Sequence, residues 1–358
     1  MSSVAQGEGG EEELVAAVLG RGIARRPVLS QLGGLRLARA GGLIGAVVLA
    51  AFVPSIVQSG YVTSVALQVE ILMCLALGLN FVAGYAGMLD LGFAAFFAIG
   101  AYTTGMLSVH AHWPILASVP PAIAIALLGA VFIGVPTLRL RSDYLAVVTL
   151  GFGEIIENIV NNLNQTGGPE GIYGIPPLRV GPWTLTTTAS YYEIFLGVVV
   201  VFVAISARVR HSRLGRAWLA IREDEDTAQA MGIKVRRYKL YAYMAGSIFG
   251  SITGSLYAPA FIAIAPPSFG FSESLLVVMA VSIGGMGSIW GALLGAGIVI
   301  AFPEVFRQFA QARLLVCGIA LVLVMVLRPQ GVWPENGTTI RRLVARWRGR
   351  RATTGDER

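Results

Sequence analysis

The sequence predicts an all-α polytopic membrane protein of about ten transmembrane helices, eight at the least, with both termini cytoplasmic. Three observations carry that expectation. Charged residues make up only 13% of the 358 residues, against roughly 25% in soluble domains, so the chain lacks the charged surface that a soluble enzyme of this size needs. Hydrophobic residues reach 55% and glycines number 44. The charges are also confined: residues 1–40 hold nine, 208–240 thirteen and 328–358 eleven, whereas 41–207 holds ten and 241–327 four. Two long apolar blocks between three charged islands are the pattern of a chain that crosses a bilayer repeatedly.

Apolar runs that can cross a bilayer, at ~17 to 25 residues each with a few shorter, fall in order at 43–57, 62–83, 93–109, 115–135, 144–163, 191–207, 241–258, 275–287, 289–306 and 314–327. Residues 1–42 then form a cytoplasmic extension, 43–327 the transmembrane domain with a long loop at 208–240, and 328–358 an Arg-rich cytoplasmic tail. Basic flanks stay on the cytoplasmic side. Ten crossings from an inner N-terminus place 24 of the 27 Lys and Arg residues inside, leaving Arg179, Arg307 and Arg313 outside. Arg307 and Arg313 make the last three spans the weakest part, and a partly re-entrant 275–306 would lower the count without moving the 208–240 loop. The first 40 residues are too charged for a cleavable signal peptide, although Arg36 and Arg39 before an apolar stretch resemble a signal-anchor start.

Within the spans, Gly246, Gly250 and Gly254 recur every four residues, as do Gly287, Gly291 and Gly295, which lets helix backbones approach closely. The segment 84–92 interrupts a long apolar run with three glycines and Asp90. Two readings fit Asp90: it faces a substrate ammonium from a helix broken at membrane depth, or it caps the helix that starts at Leu91. Tyr85 belongs to the same interruption. In the fifth span Glu154, Asn158, Asn161 and Gln165 stand at spacings of four, three and four with Glu157 beside them, and so share one side of a helix. Carboxylates within a span are costly and face a water-filled cavity or a partner; the same residues also suit interhelical hydrogen bonding. Glu70 in the second span is an isolated case of the same kind. The outer stretch 164–190 is too long for a simple hairpin and reads as a docking surface or a lid.

The inner loop is the most informative segment. Leu214, Trp218, Ile221, Ala228 and Met231 fall on one side at helical spacing. Glu223, Asp224, Glu225 and Asp226 put negative charge at the start of a last helical stretch that Gly232 ends. A short amphipathic helix outside the membrane suits a partner's groove or a solvated surface equally. Other chemistry is not expected. No Gly-rich loop leads into Lys and Ser or Thr, and the chain has two lysines, Lys234 and Lys239, so ATP is not held by a P-loop here. Cys74 and Cys317 sit in apolar runs and read as packing residues. His110 and His112 have no further ligand nearby to complete a metal site, and three histidines in loops assemble no catalytic constellation. Movement of a substrate, not chemistry on it, is the expectation.

At the inner loop the sequence becomes recognisable. The stretch 215–232, with its acidic residues, Ala228 and Gly232, resembles the coupling loop of ABC-importer permeases. Taken with 84–102, 138–162, 166–177, 213–239, 284–295 and 328–331, it resembles the permeases of branched-chain amino acid importers of the LivM type, over about residues 60–334. The resemblance implies a bacterial inner-membrane permease subunit that pairs with a related second permease, two cytoplasmic ATPase subunits and a periplasmic solute-binding protein delivering leucine, isoleucine or valine. No nucleic acid partner is expected. No cofactor is expected on this chain, with ATP and Mg held by the ATPases. The implied ATPase-coupling residues are Gly215, Arg216, Ile221, Arg222, Glu223, Asp224, Glu225, Asp226, Ala228 and Gly232. Tyr85, Asp90, Glu154, Glu157, Asn158 and Asn161 are the substrate-path candidates. Relatives carrying urea or short amides share much of this pattern, and Asp90, where many relatives have serine, tilts the expectation towards an amino acid. A secondary transporter using Glu154 and Glu157 as ion sites and a membrane scaffold subunit are the competing readings; the first leaves the 215–232 loop without a role, the second the carboxylates.

Overall fold

The computed structural model describes residues 60–137, 142–180 and 183–305, together with Gly331 and Trp333. The expected spans 43–57 and 314–327 and the extension 1–42 lie outside the described residues, as does all of the tail 328–358 except Gly331 and Trp333. The bundle helices are α1 (Gly60–Leu79), α2 (Ala94–His110), α3 (Ile115–Thr137), α4 (Ser142–Asn162) and α5 (Thr188–Arg210). Two short helices follow, α6 (Arg213–Glu223) and α7 (Glu225–Ala230), then α8 (Val235–Phe261), α9 (Phe271–Gly284) and α10 (Ile289–Val305). Four of the described segments are long and apolar enough to cross a membrane, Gly60–Tyr85, Ile115–Thr137, Thr188–Arg210 and Pro266–Gly284. The chain is a mostly helical, polytopic membrane protein.

Two boundaries differ from the sequence reading for physical reasons. Helix α8 begins at Val235 rather than 241; its 27 residues run about 40 Å, longer than a ~30 Å hydrocarbon core, so its first turns, with Arg236, Arg237 and Lys239, extend beyond the apolar stretch. Helix α9 stops at Gly284 because Gly285 adopts φ +119°, a conformation open to glycine but not to a side chain. The expected span 275–287 therefore ran into a turn. Gly287, with φ +85°, belongs to that turn and not to a helix ridge.

The bundle is held by backbone contact through small residues. Helix α8 packs along α2 and α3 and crosses α1. A Cβ at Gly254 would fall on the carbonyl oxygen of Phe97, and one at Gly100 on that of Ser251. Gly250 meets Phe96, and Gly246 meets Val82 and the Gly78 carbonyl, so the ridge 246, 250 and 254 is internal packing. Helices α9 and α10 pair in the same way, a Cβ at Gly295 falling on the Ala280 carbonyl and one at Gly284 on that of Gly291. On α3, Ala122, Ala126 and Ala130 are fully buried at four-residue spacing, while Leu128 is 70% and Phe132 78% exposed on the opposite face. A wholly apolar exposed face of this kind suits lipid.

At the far end from the charged loop the chain forms two small sheets. Strand β1 (Ile172–Tyr173) pairs antiparallel with β4 (Ala263–Ile264), and β2 (Arg179–Val180) with β3 (Trp183–Thr184). The stretch between α4 and α5 is thus more than a free loop, holding the antiparallel pair β2–β3 and strand β1. It carries two 3₁₀ turns, Asn164–Thr166 and Gly168–Glu170, and is stitched to the end of α8 through β4.

Gly100→Ala is expected to destabilise the protein by about 1–3 kcal/mol, the range for overpacking a tight contact. Gly197→Ala, where nothing lies within 4 Å, should leave stability equal or slightly higher because alanine favours helix. Thermal unfolding in detergent compares the two, and equal melting points would show that the α2–α8 contact yields.

Candidate functional site

The charged loop is a compact unit planted on the bundle. Ser212 closes α5 and opens α6, donating to the Val209 carbonyl at 2.6 Å and accepting from Gly215 N at 3.4 Å. Gly215 has no room for a side chain, because its Cβ would meet the carbonyls of Val209 and Arg210. Trp218 is 1% exposed, donates from Nε1 to the Tyr238 carbonyl at 2.7 Å and meets Phe81 of the bundle edge to face. Ile221, Ala228 and Val235 form a small buried core with Ala220, Ile233 and Tyr238 against it.

The expected single amphipathic helix is two helices with a break at Asp224. That residue is extended (φ −158°, ψ 114°), and its Oδ1 accepts from Asp226 N at 2.9 Å and Thr227 N at 3.0 Å, capping α7. Gly232, with φ +85°, ends α7 as read from the sequence. Gly232 N bonds Gln229 O and Ile233 N bonds Ala228 O, the two bonds of a Schellman motif. Met231 is 80% exposed and leaves the apolar side expected for it, because the break at Asp224 resets the helical phase. The four acidic residues also divide. All four are exposed, but Asp224 is used as a cap and Glu225 forms an ion pair with buried Lys239 at 2.5 Å, which leaves Glu223 and Asp226 for other contacts. Arg216 bonds the His211 carbonyl at 3.0 Å.

Arg222 is an exposed residue whose guanidinium reaches the edge of the bundle. Helix α1 continues as a π-helical segment, Asn80–Tyr85, and Arg222 Nη1 donates to the Gly84 carbonyl at 2.6 Å and the Met286 carbonyl at 3.4 Å. Asn80 Oδ1 accepts from Gly287 N at 2.9 Å, and a side chain at Gly84 would displace the Asn80 amide. Trp333 N donates to the Gly284 carbonyl at 2.9 Å, and Gly331 packs on Gly285. A cavity of about 230 Å³ lies beside Arg222, between Ala86, Gly87, Met88, Thr137 and Leu145 of the bundle and Ile221 to Glu225 with Lys239 of the loop unit.

The path candidates do not form one cluster. Tyr85 and Asp90 are 1% exposed and lie at the end of the bundle that carries the loop unit. Asp90 Oδ1 accepts from Gly92 N at 2.9 Å, and Leu91 N donates to Thr149 Oγ1 at 3.1 Å, so the segment 86–93 is a turn between two helices and the next helix starts at Ala94, not Leu91. Glu154 and Asn158 are exposed on α4, and Glu157 and Asn161 half-buried beside them. Asn158 Nδ2 bonds the Glu154 carbonyl at 2.7 Å. Gln165 is in the following 3₁₀ turn and leaves the stripe. On the same exposed side of α4 lie Tyr144, Val148, Ile155 and Ile159, so the helix shows a polar flank beside an apolar one. Glu157 abuts Gly270, the residue before α9; a Cβ there would lie 2.8 Å from Oε2. Glu70 is 4% exposed in α1, and among the described residues neither of its carboxylate oxygens has a hydrogen-bond partner.

Asn80 and the Lys239–Glu225 pair were not picked out from sequence. The signal for Asn80 was present: it is the one amide in the apolar run 62–83 apart from Gln68, and polar residues inside a span have partners. Lys239 is one of two lysines in the chain, but nothing in its spacing pointed to Glu225.

The family model described as branched-chain amino acid transport system, permease component, matches residues 61–327. The high-affinity branched-chain amino acid transport system permease protein LivM of Escherichia coli strain K12 is 37% identical over 316 residues, covering 82% of this chain and 74% of that protein. The corresponding LivH protein of Salmonella typhimurium is 22% identical over 288 residues, covering 72% of this chain and 89% of its own length. A probable LivM protein of Methanocaldococcus jannaschii is 27% identical over 244 residues, covering 62% and 68%. No solved structure gives a significant match.

The Asp224 cap predicts a pH dependence. The Thr227 N–H, with help from that of Asp226, holds the Asp224 carboxyl below the usual carboxylate range. A value lower in the folded state than in the unfolded state means that the cap contributes fully above the ordinary aspartate range and is lost as pH falls through the folded value. Hydrogen exchange should show protection of the α7 amides falling in that acid window, and Asp224→Asn should flatten the dependence. An unchanged acid profile in the variant would remove Asp224 as its cause.

Proposed function

The chain belongs to the branched-chain amino acid transport system permease component family, and from that premise we propose that it is the membrane permease subunit of an ATP-driven importer of leucine, isoleucine and valine in the bacterial inner membrane. The observation that carries the proposal is the stapled unit of α6 and α7, which presents Glu223, Asp226 and Met231 outward while Trp218 and Arg222 seat it on the bundle. Two ATPase subunits carry ATP and Mg, and one of them grips this edge. This chain binds no cofactor and hydrolyses nothing.

In this reading the loop end is cytoplasmic, as are both termini, and the chain makes about ten crossings once 43–57 and 314–327 are counted. Residues 1–42 are a cytoplasmic extension and 328–358 a cytoplasmic tail. The polar flank of α4 supports a second, related permease as partner. Glu154 sits near the middle of a 21-residue helix and is exposed on this chain. A carboxylate facing lipid at that depth costs ~2.5–3.5 kcal/mol or more, whereas the exposed residues of α3 beside it are all apolar, Leu128 and Phe132 foremost. Glu154, Glu157, Asn158 and Asn161 therefore face the partner permease and a watered path between the two, and the adjoining Tyr144, Val148, Ile155 and Ile159 give the interface its apolar part. Tyr85 and Asp90 shape the cytoplasmic end of that path from within the fold. A periplasmic binding protein docks at the strand end, where Tyr173 is 63%, Trp113 48% and Ile262 58% exposed.

Proteoliposomes holding this chain with its second permease, two ATPases and binding protein should take up labelled leucine only with ATP on the ATPase side. Uptake driven by an ion gradient with the ATPases omitted would overturn the reading. Glu154→Gln should lower the maximal uptake rate several-fold while the complex still assembles; normal uptake kinetics would assign Glu154 to packing.

A further inference from the structure

Arg222 links the loop unit to two helix ends of the bundle. The unit is also tied to the first turns of α8, because Lys239 pairs with Glu225, Trp218 Nε1 bonds the Tyr238 carbonyl, and Ile221 and Ala228 share a core with Val235. Its aromatic seat, Trp218 on Phe81, is an apolar contact. The guanidinium is different. It donates to carbonyls at the ends of two helices at once, Gly84 at the close of the π segment that extends α1 and Met286 just beyond α9. Helix C-termini carry unpaired carbonyls and partial negative charge, and charge-assisted hydrogen bonds are the stronger and more directional kind. Asn80 ties the same two ends to each other through Gly287.

The surroundings fit a joint. The cavity of about 230 Å³ is lined by Ala86, Gly87 and Met88 on the bundle side and by Ile221 to Glu225 on the loop side, leaving space on one side of the Arg222 stem. Gly87, with φ +71°, is stripped of a side chain where the stem passes; a Cβ there would lie 2.9 Å from Arg222 Cγ. The bulge in α1 is π-helical, a form concentrated at functional sites. From the joint, α9 runs 14 residues, about 21 Å, to Gly270, which touches Glu157 on the polar flank of α4.

We propose that Arg222 is the positioning residue that transmits movement of the α6–α7 unit to α1 and to the α9–α10 turn, and through the α9 rod to the neighbourhood of Glu157. This rests on the permease reading above. An ATPase that shifts the exposed edge of the unit then shifts two helix ends together, and the far end of α9 moves beside the path.

The test uses the complete complex in proteoliposomes, with labelled leucine and phosphate release measured in the same vesicles. The wild-type complex is measured first: absence of ATP-driven uptake would refute the permease reading itself, before any variant is compared. Given wild-type uptake, Arg222→Gln should lower leucine moved per ATP hydrolysed by tenfold or more, with hydrolysis within about twofold of wild type and the half-saturating ATP concentration unchanged. Arg222→Lys, which keeps the charge and reaches one carbonyl, should restore part of the ratio. Gly87→Ala, which displaces the stem and leaves the charge, should lower the ratio as well. A wild-type ratio in Arg222→Gln overturns the proposal. Should that variant fail to assemble, a wild-type ratio in Gly87→Ala overturns it instead.

Discussion

Backbone polar groups at an interrupted helix inside a membrane protein have only protein to bond with, and this fold gathers its interruptions at one place so that they satisfy each other. The π segment at the end of α1, the turn at 86–93, the turn between α9 and α10, and the return of the chain at Gly331 and Trp333 all meet at the loop end of the bundle. Asn80 supplies an acceptor to Gly287 N, Arg222 a donor to Gly84 and Met286, and Trp333 N a donor to Gly284. Glycine occupies 84, 284 and 331 because backbone lies close there, and 285 and 287 because the chain takes a positive φ. The loop unit is fastened to the bundle at this same junction through Arg222.

Above the junction the bundle is held by close contact rather than by polar bonds. Glycines of α8 receive α1 and α2, and alanines of α3 form the next layer out. Without water to drive apolar faces together, backbone proximity and packing are what associate helices in lipid. The polar residues are then free to serve elsewhere. Glu154 and Asn158 sit exposed on the outside of the described bundle, with Glu157 and Asn161 half-buried beside them.

The loop unit shows how a strongly charged segment is divided between structure and contact. Of four consecutive acidic residues, Asp224 caps α7 and Glu225 neutralises buried Lys239, which leaves Glu223 and Asp226 presented outward. The two residues that stiffen the unit, Asp224 and Glu225, stand between the two that carry no structural bond of this kind among the described residues, Glu223 and Asp226.

Much of this was legible in the sequence. Scarce charge confined to three islands determined that the chain is a membrane protein, apolar runs marked the long helices among the described residues apart from the start of α8, four-residue glycine spacing marked the tight contacts of α8, and Gly232 marked the end of α7. Motifs spread along the chain in order resembled the right family. These features are local or periodic, and periodicity is a property of the chain itself. Other features were decided by the tertiary structure alone: that Asp90 lies in a turn at the loop end, that α6 and α7 are two helices, that Asn80 reaches Gly287 across 207 residues and Arg222 reaches Gly84 across 138. A side chain's partner over such separations depends on where two helix ends come to rest, and no spacing along the sequence records that.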